Sequence, residues 1–301
     1  MNIVWFKRDL RIADHAALVE AARHGPILPL YILEPKLWKE PDVSHRQYQF
    51  LIGCLDELNK DLNLLGHSLV IKVGETLDVL EKIQSRHTIN GLWSHQETWN
   101  NWTYTRDKAV KKWLNESNIT WHEFTQNGVI RCLKSRDGWA AHWDKEMKKP
   151  ICPIPSDLLV IHEPSDEIPS TKKLGITDDA CTRPQKGGRS EGLKLLQSFL
   201  YYRGEYYTKE MSSPVTAFES CSRLSTHLAF GTLSIREVFQ ASEDRNQEIK
   251  NMPRGTKGKW PSALRSFSGR LRWHCHFIQK LEDEPRIEFE NLHPAYDGLR
   301  E

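Results

Sequence analysis

Short apolar runs alternate with amphipathic stretches through the first 125 residues. Ile3 to Phe6 is apolar throughout, and the run from Asn2 to Phe6 predicts a buried strand. His15 to Ala22 has the apolar spacing of a helix, with Asp14 placed to cap its N-terminus. Ile27 to Leu33 follows Gly25-Pro26 and predicts a second strand. Arg46 to Leu65 carries Phe50, Leu51, Cys54, Leu55, Leu58 and Leu62 on one helical face and stops at Gly66. Ser68 to Val73, Gly91 to His95 and Ile119 to Phe124 predict three further strands, separated by helices over Thr76 to His87 and Trp102 to Glu116. Strands joined through helices of this length imply crossovers and a parallel sheet. Residues 1–130 are therefore expected to form an α/β domain with a doubly wound, five-stranded parallel sheet.

From Gln126 to Gln185 the periodicity fails. Pro150, Pro153, Pro155, Pro164 and Pro169 punctuate the stretch, with a short helix predicted around Gly138 to Met147. Residues 131–186 read as a linker crossing a domain surface. After Gly187-Gly188 only helices are predicted, over Glu191 to Leu200, Ser234 to Ser242 and Leu264 to Leu281. Residues 187–301 read as a partial all-helical domain ending in a loop-like tail.

The chain of 301 residues has a net charge of +2, so any contact with a polyanion must come from a local patch. Its six cysteines form no C-x-x-C pair, which fits neither a disulfide framework nor a zinc site and suggests a reducing, cytoplasmic setting. There is no secretory h-region and no apolar run long enough for a membrane span. Eleven tryptophans suit either stacking on flat ligands or packing in helical cores.

Two segments carry candidate chemistry. Cys221-Ser222-Arg223-Leu224-Ser225 brings hydroxyls and a cation to the opening of a predicted helix, a place suited either to an anion or to ordinary capping. In Phe267 to Phe277, Arg270, Trp273 and Phe277 share one helical face, which can stack an extruded base or pack on another helix. Arg254, Lys257, Lys259, Arg265, Arg270 and Arg272 cluster nearby, as a nucleic-acid backbone groove or a solvated face. His95, His274 and His276 have no metal-ligand spacing, and no metal site is expected.

The run W-F-K-R-D-L-R from Trp5 to Arg11, followed by Asp14, resembles the opening of the DNA photolyase and cryptochrome family. The S-R-L-S stretch from Ser222 to Ser225 resembles the segment with which that family holds the flavin pyrophosphate, and Tyr207 matches its upstream tyrosine by position, with Tyr206 the alternative. The resemblance implies FAD as cofactor, damaged DNA as partner, and light-driven electron transfer that splits pyrimidine dimers, a carbon–carbon lyase reaction. It assigns Tyr207, Ser222, Arg223, Leu224, Ser225, Phe267 and Arg270 to the cofactor. It assigns Arg270, Trp273, His274, Lys257 and Lys259 to DNA and lesion, with no catalytic side chain. Four departures stand out. Cys221 replaces the usual threonine, and Phe267 stands where the DNA-repair members have tryptophan. Arg270 replaces a lesion-contacting glutamate and His274 an arginine; with Phe267, these departures motivate the alternative of a cryptochrome-like photoreceptor without repair activity. A further alternative is a stand-alone nucleotide-binding α/β module with a vestigial helical tail. Trp102-Thr103 stands where folate-binding members carry Asn-Glu, so folate is not expected in that site and the antenna chromophore is left unidentified. Family members continue well beyond residue 301. The helical domain is accordingly expected to be incomplete, with its C-terminal half as a potential partner and a monomer as the complete form.

Overall fold

Alternating side chains of the first strand set the architecture. In the computed structural model, which describes residues 1–156, 158–159 and 161–299, Val4 and Phe6 point to one face of the sheet and Ile3 and Trp5 to the other. Strands β1 (Asn2–Phe6), β2 (Ile27–Leu33), β3 (Val70–Val73), β4 (Gly91–His95) and β5 (Thr120–Phe124) are all parallel, in the order β3-β2-β1-β4-β5. Helices α1 (Ala16–Arg23) and α2 (His45–Leu64) pack on the Val4 and Phe6 face. Helices α3 (Thr76–Gln84) and α4 (Asn101–Glu116) cover the other face through Val79, Leu80, Ile83, Val110 and Leu114. Burial of both faces explains why the central strands read as continuous apolar runs. The doubly wound parallel sheet expected from the sequence is present. Its order reverses between β1 and β4, whose carboxyl ends therefore flank the crevice where such sheets bind ligands.

One local expectation is corrected. Asp14 does not cap α1: His15 does, its Nδ1 accepting from the Leu18 N–H at 3.0 Å. Asp14 instead takes a left-handed backbone with φ of 49° and accepts from Arg236 at 2.7 Å and from the Cys152 N–H at 3.0 Å. Distant partners displace the local cap. The proline-punctuated stretch is also more ordered than its sequence suggests. It contains α5 (Trp139–Met147) and α6 (Thr171–Leu174), and it runs along the exposed edge of β3. There Asp166 N–H donates to the Ile71 carbonyl at 2.7 Å, and Ser165 and Asp166 side chains accept from Ile71 and Val73. Covering an edge strand in this way removes a pairing template for other chains.

The second half comprises α7 (Arg189–Ser198), which runs into a π-helical turn (Phe199–Arg203), then the short helices α8 (Tyr207–Glu210), α9 (Ala217–Ser220) and α10 (Ser225–Ala229). Two long helices, α11 (Ile235–Asn251) and α12 (Trp260–Asp283), complete it. Both exceed the predicted spans. A capping box between Ser234 and Glu237 starts α11, and Pro261 sits in the first turn of α12. Phe199, Leu200, Val238, Leu264, Phe267 and Leu271 form a separate core. All six cysteines are free, and no helix among the described residues is long and apolar enough to cross a membrane.

Candidate functional site

The basic turn after β1 is not a free cationic patch. Lys7 pairs with Asp107 at 3.1 Å, and Arg106 gathers Glu34, Glu97 and Asp107 at 2.9, 2.5 and 2.8 Å. Burial opposes the charge on Arg106, but Asp107, Glu97 and Glu34 outweigh it and hold its pKa well above the ordinary value. The Arg8 guanidinium lies 3.3 Å from the centroid of Trp99, covering one face of a ring otherwise suited to a flat chromophore. Arg11 donates to the carbonyls of Gly231 and Asp14. The turn is thus spent on ion pairs and stacking within the α/β half and, through Arg11, on a bond to the helical half.

Asp9, His15 and His95 form a buried cluster at the same edge, with Asp9 Oδ2 3.0 Å from His15 Nε2 and 2.8 Å from His95 Nδ1. Burial raises the Asp9 carboxyl, yet the two imidazoles prevail and hold it well below the carboxylate range; burial beside His15 lowers His95 to about 4. His15 Nδ1 accepts a backbone N–H, so a neutral His15 carries its proton on Nε2 and has no lone pair there for a metal. Within the cluster His95 is hydrogen-bonded to Asp9, while His15 Nε2 lies beside the same carboxylate without hydrogen-bond geometry.

The phosphate-facing candidates lie in the helical half. Arg203, at the end of the π turn, donates to the carbonyls of Glu219 at 3.1 Å, Ser222 at 2.7 Å and Cys221. Arg223 has a left-handed backbone with φ of 64°, and its guanidinium sits 4.1 Å from the Phe218 centroid. Ser222 Oγ accepts from the Leu224 N–H at 3.4 Å, while Ser225 is exposed. The Leu224 side chain is buried in the helical core, so only its backbone is available to a ligand. Tyr207 packs edge-on against Phe199 and Phe267, with ring centroids 5.4 and 6.1 Å away, and Arg270 approaches it from α12. Burial raises the pKa of Cys221, and the surrounding cations Arg203, Arg223 and Arg270 oppose that rise. Arg223 and Arg270 engage aromatic rings, and neither pairs with a carboxylate among the described residues.

Beyond Arg270, the α12 stripe continues through Trp273 and Phe277, 54% and 55% exposed, with ring centroids 5.7 Å apart. Tyr207 and Phe267 are buried in the helical core, and only Arg270, Trp273 and Phe277 of this stripe are exposed. The other expected contacts lie elsewhere. His274 lines a cavity of about 220 Å³ between the halves with Arg8, Gln126 and Ser234, and burial lowers its pKa. The expected single basic strip divides, because residues 265 and 272 share a helical face and residue 270 does not. Lys257, Arg265 and Arg272 line a groove of about 530 Å³ between α11 and α12, joined by Lys250 and Asn246. Lys259 lies apart, its N–H bonded to Glu205. Arg203 carried no sequence signal, because its acceptors are mainly backbone carbonyls; an arginine inside the aromatic run Phe199 to Tyr207 was the only hint.

Residues 2–138 match the family model described as DNA photolyase. Cryptochrome-2 of Arabidopsis thaliana is 28% identical over 263 residues, covering 80% of this chain and 42% of its own length. A deoxyribodipyrimidine photo-lyase of Halobacterium salinarum is 24% identical, covering 99% of this chain and 64% of its own. The fold superimposes on the crystal structure of a class III photolyase from Agrobacterium tumefaciens with a TM-score of 0.78 at 22% identity, over 99% of this chain and 62% of that one. The chain thus spans roughly two-fifths to two-thirds of the length of these relatives. Sheet order, motif order and these matches agree: residues 2–138 belong to the DNA photolyase family, and the chain as a whole is similar to photolyases and cryptochromes.

Proposed function

We propose that this chain supplies the antenna-type α/β domain and the phosphate-binding part of the flavin domain of a light-driven, photolyase-type DNA repair lyase. The observation carrying this reading is the gathering of Arg223 and Arg270 around Cys221, next to Ser222, with the Arg270 guanidinium 5.9 Å from the ring centroid of the exposed Trp273. The residues fit the phosphate end of FAD. Arg223 and Arg270 lack carboxylate partners among the described residues, and the amides of Ser222 and Arg223 have no acceptor there. When bound, FAD supplies light-driven one-electron chemistry.

Ser222, Ser225 and Arg223 hold the pyrophosphate, while Tyr207 and Phe267, buried in the helical core, back the site beneath Arg270. Trp273 presents a face on which a pyrimidine taken out of the duplex stacks. Arg270 donates hydrogen bonds where a carboxylate would accept them, so it binds the carbonyl edge or the phosphate of the flipped nucleotide. Lys257, Arg265 and Arg272 bind backbone phosphates in the groove between α11 and α12.

The test is binding to ultraviolet-irradiated and unirradiated oligonucleotides of one sequence in the presence of FAD. The repair reading expects tighter binding to irradiated DNA. Equal binding contradicts it and favours the cryptochrome-like photoreceptor, the second reading, which the cation at Arg270 supports.

A further inference from the structure

Five N–H groups of one arginine converge on the back of the proposed phosphate site. Arg203 Nε donates to Ser198 Oγ at 3.1 Å; Nη1 donates to the carbonyls of Glu219 and Cys221; Nη2 donates to those of Leu195 and Ser222, at 3.2 and 2.7 Å. A guanidinium has five donors in a rigid fork, and here each has an acceptor, none of them a carboxylate. The clamp ties the end of α7 to the segment that precedes α10.

The consequence lies on the opposite edge of the same peptides. A trans peptide is planar, with its C=O and N–H pointing in opposite directions. Turning the Cys221 and Ser222 carbonyls toward Arg203 therefore turns the N–H groups of Ser222 and Arg223 away from it. Neither amide has an acceptor among the described residues. Arg223 has a left-handed backbone, and successive N–H groups beside such a residue form a concavity that takes an anion. The π turn places Arg203 for this task. Its closing bond runs from Gly204 N–H to the Phe199 carbonyl at 3.0 Å, and a β-carbon on Gly204 would lie 2.4 Å from that carbonyl oxygen.

We propose that Arg203 is a positioning residue for the phosphate site: it does not touch the ligand but holds the Ser222 and Arg223 amides toward it. This rests on reading Cys221 to Ser225 as the pyrophosphate grip. Positive charge alone is not what Arg203 contributes, so a lysine cannot replace it; three donors on one nitrogen do not reach four separated carbonyls and a hydroxyl.

The experiment titrates inorganic pyrophosphate into the full chain, wild type and variants, reading affinity by calorimetry and the Ser222 and Arg223 amides by nitrogen-15 spectra. In the wild type both amide resonances shift on binding. Arg203→Gln and Arg203→Lys each weaken binding by about tenfold or more and abolish the two shifts. Arg223→Gln weakens binding but leaves the shifts in place. A folded Arg203→Gln protein with wild-type affinity and shifts overturns the inference while leaving the site reading intact. Should Arg203→Gln not fold, Arg203→Lys decides, and wild-type behaviour there overturns it equally. A wild-type chain whose two amides ignore pyrophosphate overturns the site reading and this inference together.

Discussion

Arg11 and Gly231 join the two halves of the molecule. The guanidinium, on the turn after β1, donates to the Gly231 carbonyl at 2.8 Å across 220 positions of sequence. Gly231 has φ of 66°, and a β-carbon there would fall 2.2 Å from the Arg8 carbonyl oxygen. The turn that dominates the sequence is shaped to receive this glycine. Gly231→Ala is expected to destabilise the chain by roughly 2–4 kcal/mol, from left-handed strain plus the backbone clash. Chemical denaturation measures it. A loss within experimental error would mean that the halves do not seat on one another as described.

Strands β1, β2 and β4 were legible because every residue of each is buried, and they occupy Asn2–Phe6, Ile27–Leu33 and Gly91–His95 as their patterns predict. Features set by distant partners were not. Asp14 has the chemistry of a helix cap, but Arg236, 222 positions away, pulls it into a different role. The end of α11 was hidden because residues 243–251 carry almost no apolar period, with Ile249 their one buried apolar anchor. In the candidate site the hydroxyl and aromatic residues could be read as motifs. The clamp of Arg203 could not, since carbonyl acceptors belong to every residue and leave no signature. The division of the basic strip follows from helical geometry that charge counting along the chain ignores.

His227 provides a pH test. It is fully buried, its Nδ1 lies 2.9 Å from Thr232 Oγ1, and burial lowers its pKa from 6.5 to about 4. The unfolded chain takes up the proton first as pH falls, so the neutral imidazole contributes full stability above about 6.5. That contribution declines between 6.5 and 4, amounting to roughly 3 kcal/mol over the window. Melting temperature against pH measures it for wild type and His227→Asn. The variant is expected to be less stable at neutral pH and to have a shallower acid decline; an unchanged slope would show that His227 does not titrate in this way.

The two faces of α12 are expected to separate two kinds of DNA contact. Lys257→Ala should weaken irradiated and unirradiated DNA alike and reduce the salt slope by about one. Arg270→Glu should change the ratio between the two DNAs more than the affinity for undamaged DNA. Binding curves across a salt series read both effects. A ratio untouched by Arg270→Glu removes Arg270 from the lesion.

Hydrogen exchange should rank the two halves. The amides of β1 and β4 are expected to be the most protected, because the sheet is covered on both faces. Amides of α12 around Trp273 and Phe277 should exchange faster, since that stripe is exposed to solvent. Equal protection in both regions would contradict this ranking.

The central claim is that Cys221 to Ser225 grips the phosphates of a flavin dinucleotide. The most direct measurement is calorimetric titration of FAD and of ADP into the wild-type chain and into a Ser222→Ala, Arg223→Gln, Ser225→Ala triple variant that retains the wild-type fold. Because the proposed contacts are to phosphates, FAD and ADP are expected to bind the wild type with similar affinity. The variant is expected to bind both at least about tenfold more weakly. FAD binding that is equally tight in the triple variant would contradict the account.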